Sequence, residues 1–168
     1  MWKLMITEHY KGKSGVEYIF EYHDADNFDA LDASLVRQVY GVVFVDDEII
    51  IGFGGNKKAW GLIGGTIEEG ETYIETLHRE IQEESNMQVT SQRPIGYQKV
   101  TDTRDGTCIY QLRYVCKAKP YGPFMEDPAG GMITEIKLID PAKYKEYFDW
   151  GKIGERIITR GLELKDSI

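Results

Sequence analysis

Two periodicities divide the chain into predicted strands and predicted helices. Polar and apolar residues alternate over residues 3–10 and 16–23, on either side of the turn-forming residues 11–15, and this pattern predicts a β-hairpin. Residues 39–45 and 49–54 are rich in β-branched and aromatic side chains and predict a second strand pair joined by a tight turn. Further strands are predicted later in the chain, at residues 95–102, 107–119 and 132–140.

A helical period replaces the alternation after residue 71. The residues of the predicted buried face recur at i, i+3, i+4 and i+7: Ile74, Leu77, His78 and Ile81. Thr72 and Glu75 form the T-x-x-E signature of a helix start, and Asn86 suits a left-handed helix end. Five glycines make residues 54–65, just before this helix, a predicted flexible loop.

Two more helices, at residues 141–148 and 153–164, are predicted to close the chain. Strands before and after a central helix predict an α/β fold with a mixed β-sheet. The chain has no internal repeat and no linker-like stretch, so we expect one domain over residues 1–168, with residues 1–35 as an N-terminal hairpin extension.

Composition and charge narrow the class of protein. Of the 168 residues, 42% are hydrophobic and 12% aromatic, as in folded globular domains. The net charge is −8, but residues 66–86 hold seven acids and one base, so this short segment carries −6 of it. An acidic total argues against nucleic-acid partners, which require a basic face. Since no apolar run approaches the roughly 18 residues that span a bilayer, no membrane partner is expected.

The cysteines and the first residues favour a cytoplasmic protein. Cys108 and Cys116 lie eight residues apart on one predicted strand, which is too far for a disulfide. Residues 1–13 lack the continuous apolar core of a signal peptide. We therefore expect free cysteines and a reducing, cytoplasmic compartment.

Three carboxylates share one face of the predicted helix, because Glu80, Glu83 and Glu84 stand at i, i+3 and i+4. Like charges at these spacings repel by about 0.2–0.5 kcal/mol per pair. A glutamate-rich helix is most often a solvated surface, and composition alone favours that interpretation. A carboxylate cluster without Cys is also a hard-oxygen site suited to Mg²⁺ or Mn²⁺, and the preceding Gly64-Gly65 lets backbone approach a ligand.

The spacing of this segment decides between the two interpretations. Residues 65–87, GTIEEGETYIETLHREIQEESNM, resemble the Nudix box, G-x5-E-x7-R-E-U-x-E-E-x-G-U with U aliphatic. Eight of the nine defined positions are in register: Gly65, Glu71, Arg79, Glu80, Ile81, Glu83, Glu84 and Met87. The second glycine of the pattern is Asn86 here, and Asn is the next-best residue for a left-handed cap.

The resemblance implies a fold and an activity. Nudix proteins are α/β/α sandwiches that hydrolyse nucleoside diphosphates linked to another moiety. By resemblance, Glu80, Glu83 and Glu84 bind divalent cations, Mg²⁺ or alternatively Mn²⁺, with the Gly64 carbonyl as a further ligand.

The resemblance also gives structural roles to Gly65, Glu71 and Arg79. Arg79 would position the carboxylates through ion pairs, and its spacing of four residues from both Glu75 and Glu83 agrees with that role.

Two further roles, the general base and a residue that stacks on the nucleobase, are supported by less sequence evidence. The general base implied by the family is either a carboxylate of the box, for which Glu83 is the candidate, or a downstream loop glutamate, for which Glu126 is the candidate. Trp60 is a candidate for stacking on a nucleobase, although packing under the sheet is the more common fate of such an aromatic residue.

The substrate is inferred by elimination. Substrate classes of the family are often marked 16 to 18 residues beyond the box by a Pro or a Tyr, and residues 103–105 hold neither. A nucleoside triphosphate or modified nucleotide is therefore favoured over ADP-ribose, nucleotide sugars or dinucleoside polyphosphates. A catalytically silent nucleotide-binding or regulatory module is the main alternative from another class, and a homodimer is left open.

Overall fold

The computed structural model describes residues 4–125 and 132–168 and contains nine strands and two α-helices in those ranges. The strands are β1 Met5–Lys11, β2 Glu17–Asp24, β3 Val36–Val45, β4 Glu48–Gly54, β5 Ala59–Gly61, β6 Ile63–Thr66, β7 Met87–Asp102, β8 Cys108–Pro120 and β9 Ile133–Ile139. The helices are α1 Tyr73–Ser85 and α2 Gly151–Leu164. Three short 3₁₀ helices complete the chain at Ala33–Leu35, Pro141–Glu146 and Lys165–Ser167.

All nine strands belong to one mixed sheet. Its order is β1-β2-β7-β8-β3-β4-β5, with β6 also pairing with β3 and β9 with β4. β3 and β8 run parallel, and every other pair is antiparallel. The predicted N-terminal hairpin is β1 and β2, and β2 joins it to the main sheet by pairing with β7.

The two helices cover opposite faces of the sheet. On one face, Ile153 and Ile157 of α2 pack with Val42 and Val115 of the central strands. On the other face, Leu77 and Ile81 of α1 pack in a second buried cluster. The predicted α/β/α sandwich with a mixed sheet is confirmed.

The helix that carries the acidic segment begins and ends as its sequence predicts. The Thr72 hydroxyl accepts the Glu75 N–H at 3.2 Å, and the Glu75 carboxylate accepts the Thr72 N–H at 2.7 Å, which completes the capping box. Asn86 ends the helix in the left-handed conformation, with φ 54°. The buried positions are Thr76, Leu77, Ile81 and Ser85. Thus Ile74 and His78, predicted to be buried, are only half-buried.

Several predicted boundaries are wrong. Residues 54–65 are not a loop throughout, because β5 and the start of β6 lie within them. The predicted helix at 141–148 is a 3₁₀ helix, Pro141–Glu146, capped by the Asp140 side chain. β7 begins at Met87, directly after α1, rather than at residue 95, and bulges at Val89/Ser91 and Pro94/Gly96 interrupt its pairing with β8.

The cysteines are both free, as predicted. In the described part of the chain, no helix is long and apolar enough to cross a membrane.

Candidate active site

The glutamates of α1 lie against the Gly64-Gly65 backbone of β6. The Gly64 N–H donates a hydrogen bond to Glu84 Oε2 at 3.2 Å. A Cβ on Gly65 would collide with the Glu80 carboxylate, and one on Gly64 would collide with Tyr40 of β3. Both glycines are therefore required by close approach, Gly64 to the neighbouring strand and Gly65 to a helix side chain.

Arg79 organises the acidic face of the helix. Its Nε and Nη2 bind the two oxygens of Glu71 at 2.5 and 2.9 Å, a bidentate pair. Its Nη1 binds Glu80 at 2.9 Å and Glu83 at 3.3 Å. Its Nη2 also donates to the Thr66 carbonyl at 3.0 Å. The guanidinium thus holds together the loop before α1, the end of β6 and two of the three candidate metal ligands.

One predicted ion pair of Arg79 is confirmed and another is wrong. The pair with Glu83 forms, at 3.3 Å. The pair with Glu75 does not form within the described residues, because the Glu75 carboxylate is used by the capping box at the helix start. Glu71, eight residues before Arg79, takes its place as the partner. Glu71 also accepts from the Thr76 hydroxyl at 2.7 Å and the Glu68 N–H at 3.1 Å.

Hydrogen bonds and burial shift the pKa values of these carboxylates in opposite directions. The hydrogen bonds from Arg79 hold the pKa of Glu71 at about 2, well below its usual range. Desolvation raises the pKa of Glu80, and the ion pair with Arg79 offsets only part of that rise. Desolvation raises the pKa of Glu84 to about 8, in spite of the Gly64 N–H. Glu84 is thus a half-buried carboxylate without an ion-pair partner among the described residues.

These residues fit a divalent cation by their chemistry. Within residues 4–125 and 132–168, Glu84 forms no ion pair, and two further carboxylates stand beside it on the helix, Glu83 next to it and Glu80 one turn before it. In the same residues, no three His, Cys, Asp or Glu side chains converge on one point where an ion would be held. The cause is visible in the contacts, because Arg79 draws Glu80 and Glu83 toward itself while Gly64 holds Glu84. The three carboxylates would therefore have to turn toward one another before they could share one cation.

Two predicted site residues are not placed at the glutamate cluster: Trp60 lies on the other side of the sheet, and Glu126 is outside the described residues. Trp60 is on the α2 side of the sheet, where its ring lies 5.4 Å from Phe53 and 5.8 Å from Tyr147, centre to centre. Stacking of Trp60 on a base stays a prediction. Glu126, the alternative general base, lies outside the described residues. The use of the Gly64 carbonyl as a metal ligand also stays a prediction.

Two residues near this site, Tyr40 and Arg113, have no role predicted from the sequence. Tyr40 lies against Gly64, and its ring centre is 4.8 Å from the guanidinium carbon of Arg113. Burial raises the pKa of the Tyr40 phenol, with Arg113 opposing the rise and Glu84 and Glu80 adding to it. The sequence does carry a signal for Arg113, which is the only charged residue between Cys108 and Cys116 of a strand that both helices cover.

Comparison with known proteins identifies the class to which this fold and site belong. The family model described as the NUDIX domain matches residues 34–159. The chain therefore belongs to the Nudix family, and it is a hydrolase acting on a phosphoanhydride bond. No curated protein sequence matches it significantly.

Solved structures share the fold at low sequence identity. A variant of the Bacillus subtilis pyrophosphohydrolase BsRppH is 13% identical, with a TM-score of 0.68 over 95% of this chain and 97% of that one. A NUDIX hydrolase from Nitrosomonas europaea is 17% identical, with a TM-score of 0.60 over 73% and 85%. A MutT structure, from work on Aliivibrio salmonicida and Vibrio cholerae, is 18% identical, with a TM-score of 0.56 over 76% and 97%. Sequence identities this low show a shared fold and nothing further.

Proposed function

We propose that this protein hydrolyses the phosphoanhydride of a small nucleotide in a reaction that depends on Mg²⁺ or Mn²⁺. A nucleoside triphosphate or modified nucleotide is the favoured substrate, with nucleoside monophosphate and pyrophosphate as products. The observation that carries the proposal is Glu84, a half-buried carboxylate beside Gly64 that forms no ion pair with a cationic side chain among the described residues. A buried carboxylate in this state is stabilised when a cation binds next to it.

The site residues have different roles in the proposed reaction. Glu80, Glu83 and Glu84, with the Gly64 carbonyl, would hold the cation. When bound, a divalent cation neutralises phosphate charge and lowers the pKa of a coordinated water. Arg79 and Glu71 fix the direction of these side chains, and Gly65 leaves the space that the Glu80 carboxylate occupies.

The bond changes are those of a simple hydrolysis. A water oxygen forms a new bond to phosphorus and loses a proton to a carboxylate. The bond between phosphorus and the bridging oxygen breaks, and that oxygen leaves with the electron pair. Glu83 is our candidate for the proton acceptor, because its side chain is 45% exposed while that of Glu80 is only 13% exposed. Glu126 remains the alternative.

A catalytically silent regulatory module is the alternative that the sequence leaves open. Such a module would bind a nucleotide without hydrolysing it. Retention of all three carboxylates argues against it, because a silent site does not need a charge cluster that costs stability in the absence of metal.

A hydrolysis screen in which the products are separated by ion-exchange chromatography tests the proposal. Nucleoside triphosphates, modified nucleotides, ADP-ribose and nucleotide sugars are each assayed with Mg²⁺, with Mn²⁺ and with EDTA. We expect turnover of a triphosphate or modified nucleotide that EDTA abolishes. Glutamates and phosphates are both anionic, so a cation is needed to neutralise the charge between them. Turnover confined to ADP-ribose or nucleotide sugars would replace the substrate class. Tight binding of a nucleotide with no turnover of any compound would support the regulatory module instead.

A further inference from the structure

Helix α1 ends at the one defined position where this chain departs from the Nudix pattern. The second glycine of the pattern is Asn86 here, and it ends the helix in the left-handed conformation, with φ 54°. Glycine adopts this conformation more readily than asparagine does. The helix end alone therefore does not account for asparagine at this position, whereas the contacts of its side chain do.

The Asn86 side chain binds the segment that follows β8, residues 121–125, which we call the β8 exit. Its Nδ2 donates a hydrogen bond to the Pro123 carbonyl at 2.7 Å. The same nitrogen lies 3.6 Å from where a Cβ on Gly122 would stand, so the segment packs against the amide. The Tyr121 N–H donates to the Asn86 carbonyl at 3.0 Å. Asn86 thus holds the β8 exit by one main-chain bond and one side-chain bond.

Only the side-chain bond distinguishes asparagine from glycine here. The bond from Tyr121 to Asn86 continues the ladder of β7 and β8 beyond the Met87–Pro120 pair, and any residue at position 86 would supply that carbonyl. Pro123 lies past the end of the ladder, and its carbonyl receives the Asn86 amide. With glycine at position 86, the Pro123 carbonyl would lose this donor, and residue 86 would hold the β8 exit at Tyr121 alone.

The β8 exit adjoins the end of the helix that carries the glutamates. Asn86 follows Glu84 by two residues, so their Cα atoms are at most about 7 Å apart. The segment also exposes two large apolar side chains, since Tyr121 is 56% exposed and Met125 is 66% exposed. Exposed apolar side chains on a loop beside a reaction site are available for contact with a ligand. A nucleotide whose phosphates lie at Glu83 and Glu84 would therefore have the β8 exit as a neighbour.

A segment that is already held in place favours ligand binding over a loose one, because it loses less conformational freedom when the ligand binds. A single hydrogen bond of ordinary net strength shifts an equilibrium by about 2- to 10-fold. Loss of the Asn86 side-chain bond would lower the fraction of molecules with the segment in place, and apparent affinity falls with that fraction. The carboxylates of α1 are unchanged by such a loss, so the chemical step keeps its rate.

We propose that Asn86 is a positioning residue for substrate binding, which holds the β8 exit in place as one wall of the reaction site. This role is open to the chain because asparagine replaces the glycine of the pattern and brings a side-chain donor. The inference rests on the proposed function, because it takes the phosphates of the substrate to lie at Glu80, Glu83 and Glu84.

Asn86→Gly tests this inference, because it removes the donor to Pro123 and keeps both the left-handed helix end and the main-chain bond to Tyr121. We expect the variant to unfold at the same temperature as the wild type or higher. The Tyr121 amide should exchange its hydrogen about 2- to 10-fold faster, which NMR measures without any substrate. On the best substrate of the hydrolysis screen, KM should rise by about the same factor, while kcat stays within about twofold.

Two further variants separate the side-chain bond from the helix cap. Asp46→Gly makes the same change from a left-handed residue with φ 54° to glycine, in the turn between β3 and β4, and should leave KM and the Tyr121 exchange rate unchanged. Asn86→Ala lacks the donor and also fits the left-handed conformation poorly. It should raise KM at least as much as Asn86→Gly and, unlike that variant, lower Tm.

Several results would overturn the inference. An unchanged KM in Asn86→Gly would do so even if the Tyr121 amide exchanges faster, because the bond would then hold the segment without serving the substrate. A loss confined to kcat would assign the segment to the chemical step instead, and an equal rise of KM in Asp46→Gly would show a general effect.

Failure of this inference and failure of the proposed function give different results. Turnover by the wild type with an unchanged KM in Asn86→Gly rejects only this inference. If the wild type hydrolyses nothing, the Kd values of ATP and GTP with Mg²⁺ replace KM, and weaker binding by Asn86→Gly then rejects the proposed function alone. Neither turnover nor binding of these nucleotides by the wild type would reject both.

Discussion

Glu83→Gln is expected to lower kcat on the best substrate by at least about 10²-fold while leaving the protein folded. Loss of one principal electrostatic group in an active site typically has an effect of this size. The side chain of Glu83 is 45% exposed, and among the described residues its one side-chain hydrogen bond comes from Arg79 at 3.3 Å, so the substitution removes little packing. Steady-state kinetics at saturating Mg²⁺, together with thermal unfolding, measure both parts of this expectation.

Two further variants are needed to interpret the effect of Glu83→Gln. Glu69→Gln changes the charge of the same segment by the same amount, at an exposed position outside the Nudix pattern, and should leave kcat unchanged. Glu126→Gln tests the alternative base. If Glu126→Gln causes the large loss and Glu83→Gln a small one, then proton acceptance belongs to Glu126 and Glu83 serves the cation only.

Arg79→Met is expected to lower the free energy of unfolding substantially, although the side chain is partly exposed. Arg79 bridges Glu71, Glu80 and Glu83, so its removal leaves three carboxylates facing one another. Breaking a buried ion pair costs about 3–5 kcal/mol, and we expect about 2–3 kcal/mol here because the side chain is 20% exposed. Urea unfolding in metal-free buffer measures this difference, and the exposed Arg37→Met is the matched control.

The stability difference caused by Arg79→Met should depend on pH. Arg79 lowers the pKa of Glu71 from its ordinary value near 4.5 to about 2 in the folded protein. A carboxylate with a lowered pKa contributes stability above its unfolded value, and this contribution is lost as the pH falls through its folded value. The gap between wild type and variant should therefore be full at pH 7 and should shrink progressively below about pH 4.5. A gap that is constant down to pH 3 would contradict the assigned pair.

Local patterns explain why the helix and its ligands could be predicted from the sequence. The start at Thr72, the end at Asn86 and the shared face of Glu80, Glu83 and Glu84 all depend on residues within a few positions of each other. The Nudix pattern adds Glu71 as an element of the site, but spacing alone suggested the wrong partner for Arg79. The Glu75 carboxylate is part of the capping box, and only the folded loop before the helix brings Glu71 within reach of Arg79.

Features that depend on pairing between distant strands could not be predicted in this way. The glycines of β6 predict a flexible loop, yet Gly64 is what allows the strand to pair closely with β3. Arg113 and Tyr40 are 73 residues apart in sequence and meet only through the parallel register of β3 and β8. A charged residue in an otherwise apolar strand was the available signal, but its neighbours depend on a register that sequence alone does not provide.

The central claim is that the carboxylate face of α1 beside Gly64 binds a divalent cation, and thermal unfolding with and without Mg²⁺ tests it most directly. Metal at about 100 times its Kd would stabilise the fold by about 2.7 kcal/mol, which corresponds to a rise in Tm of about 5–10 °C for a chain of this length. The account predicts that rise for the wild type relative to EDTA, and a much smaller one for Glu84→Gln. An unchanged Tm at saturating Mg²⁺ and at saturating Mn²⁺, or an equal rise in Glu84→Gln, would contradict it.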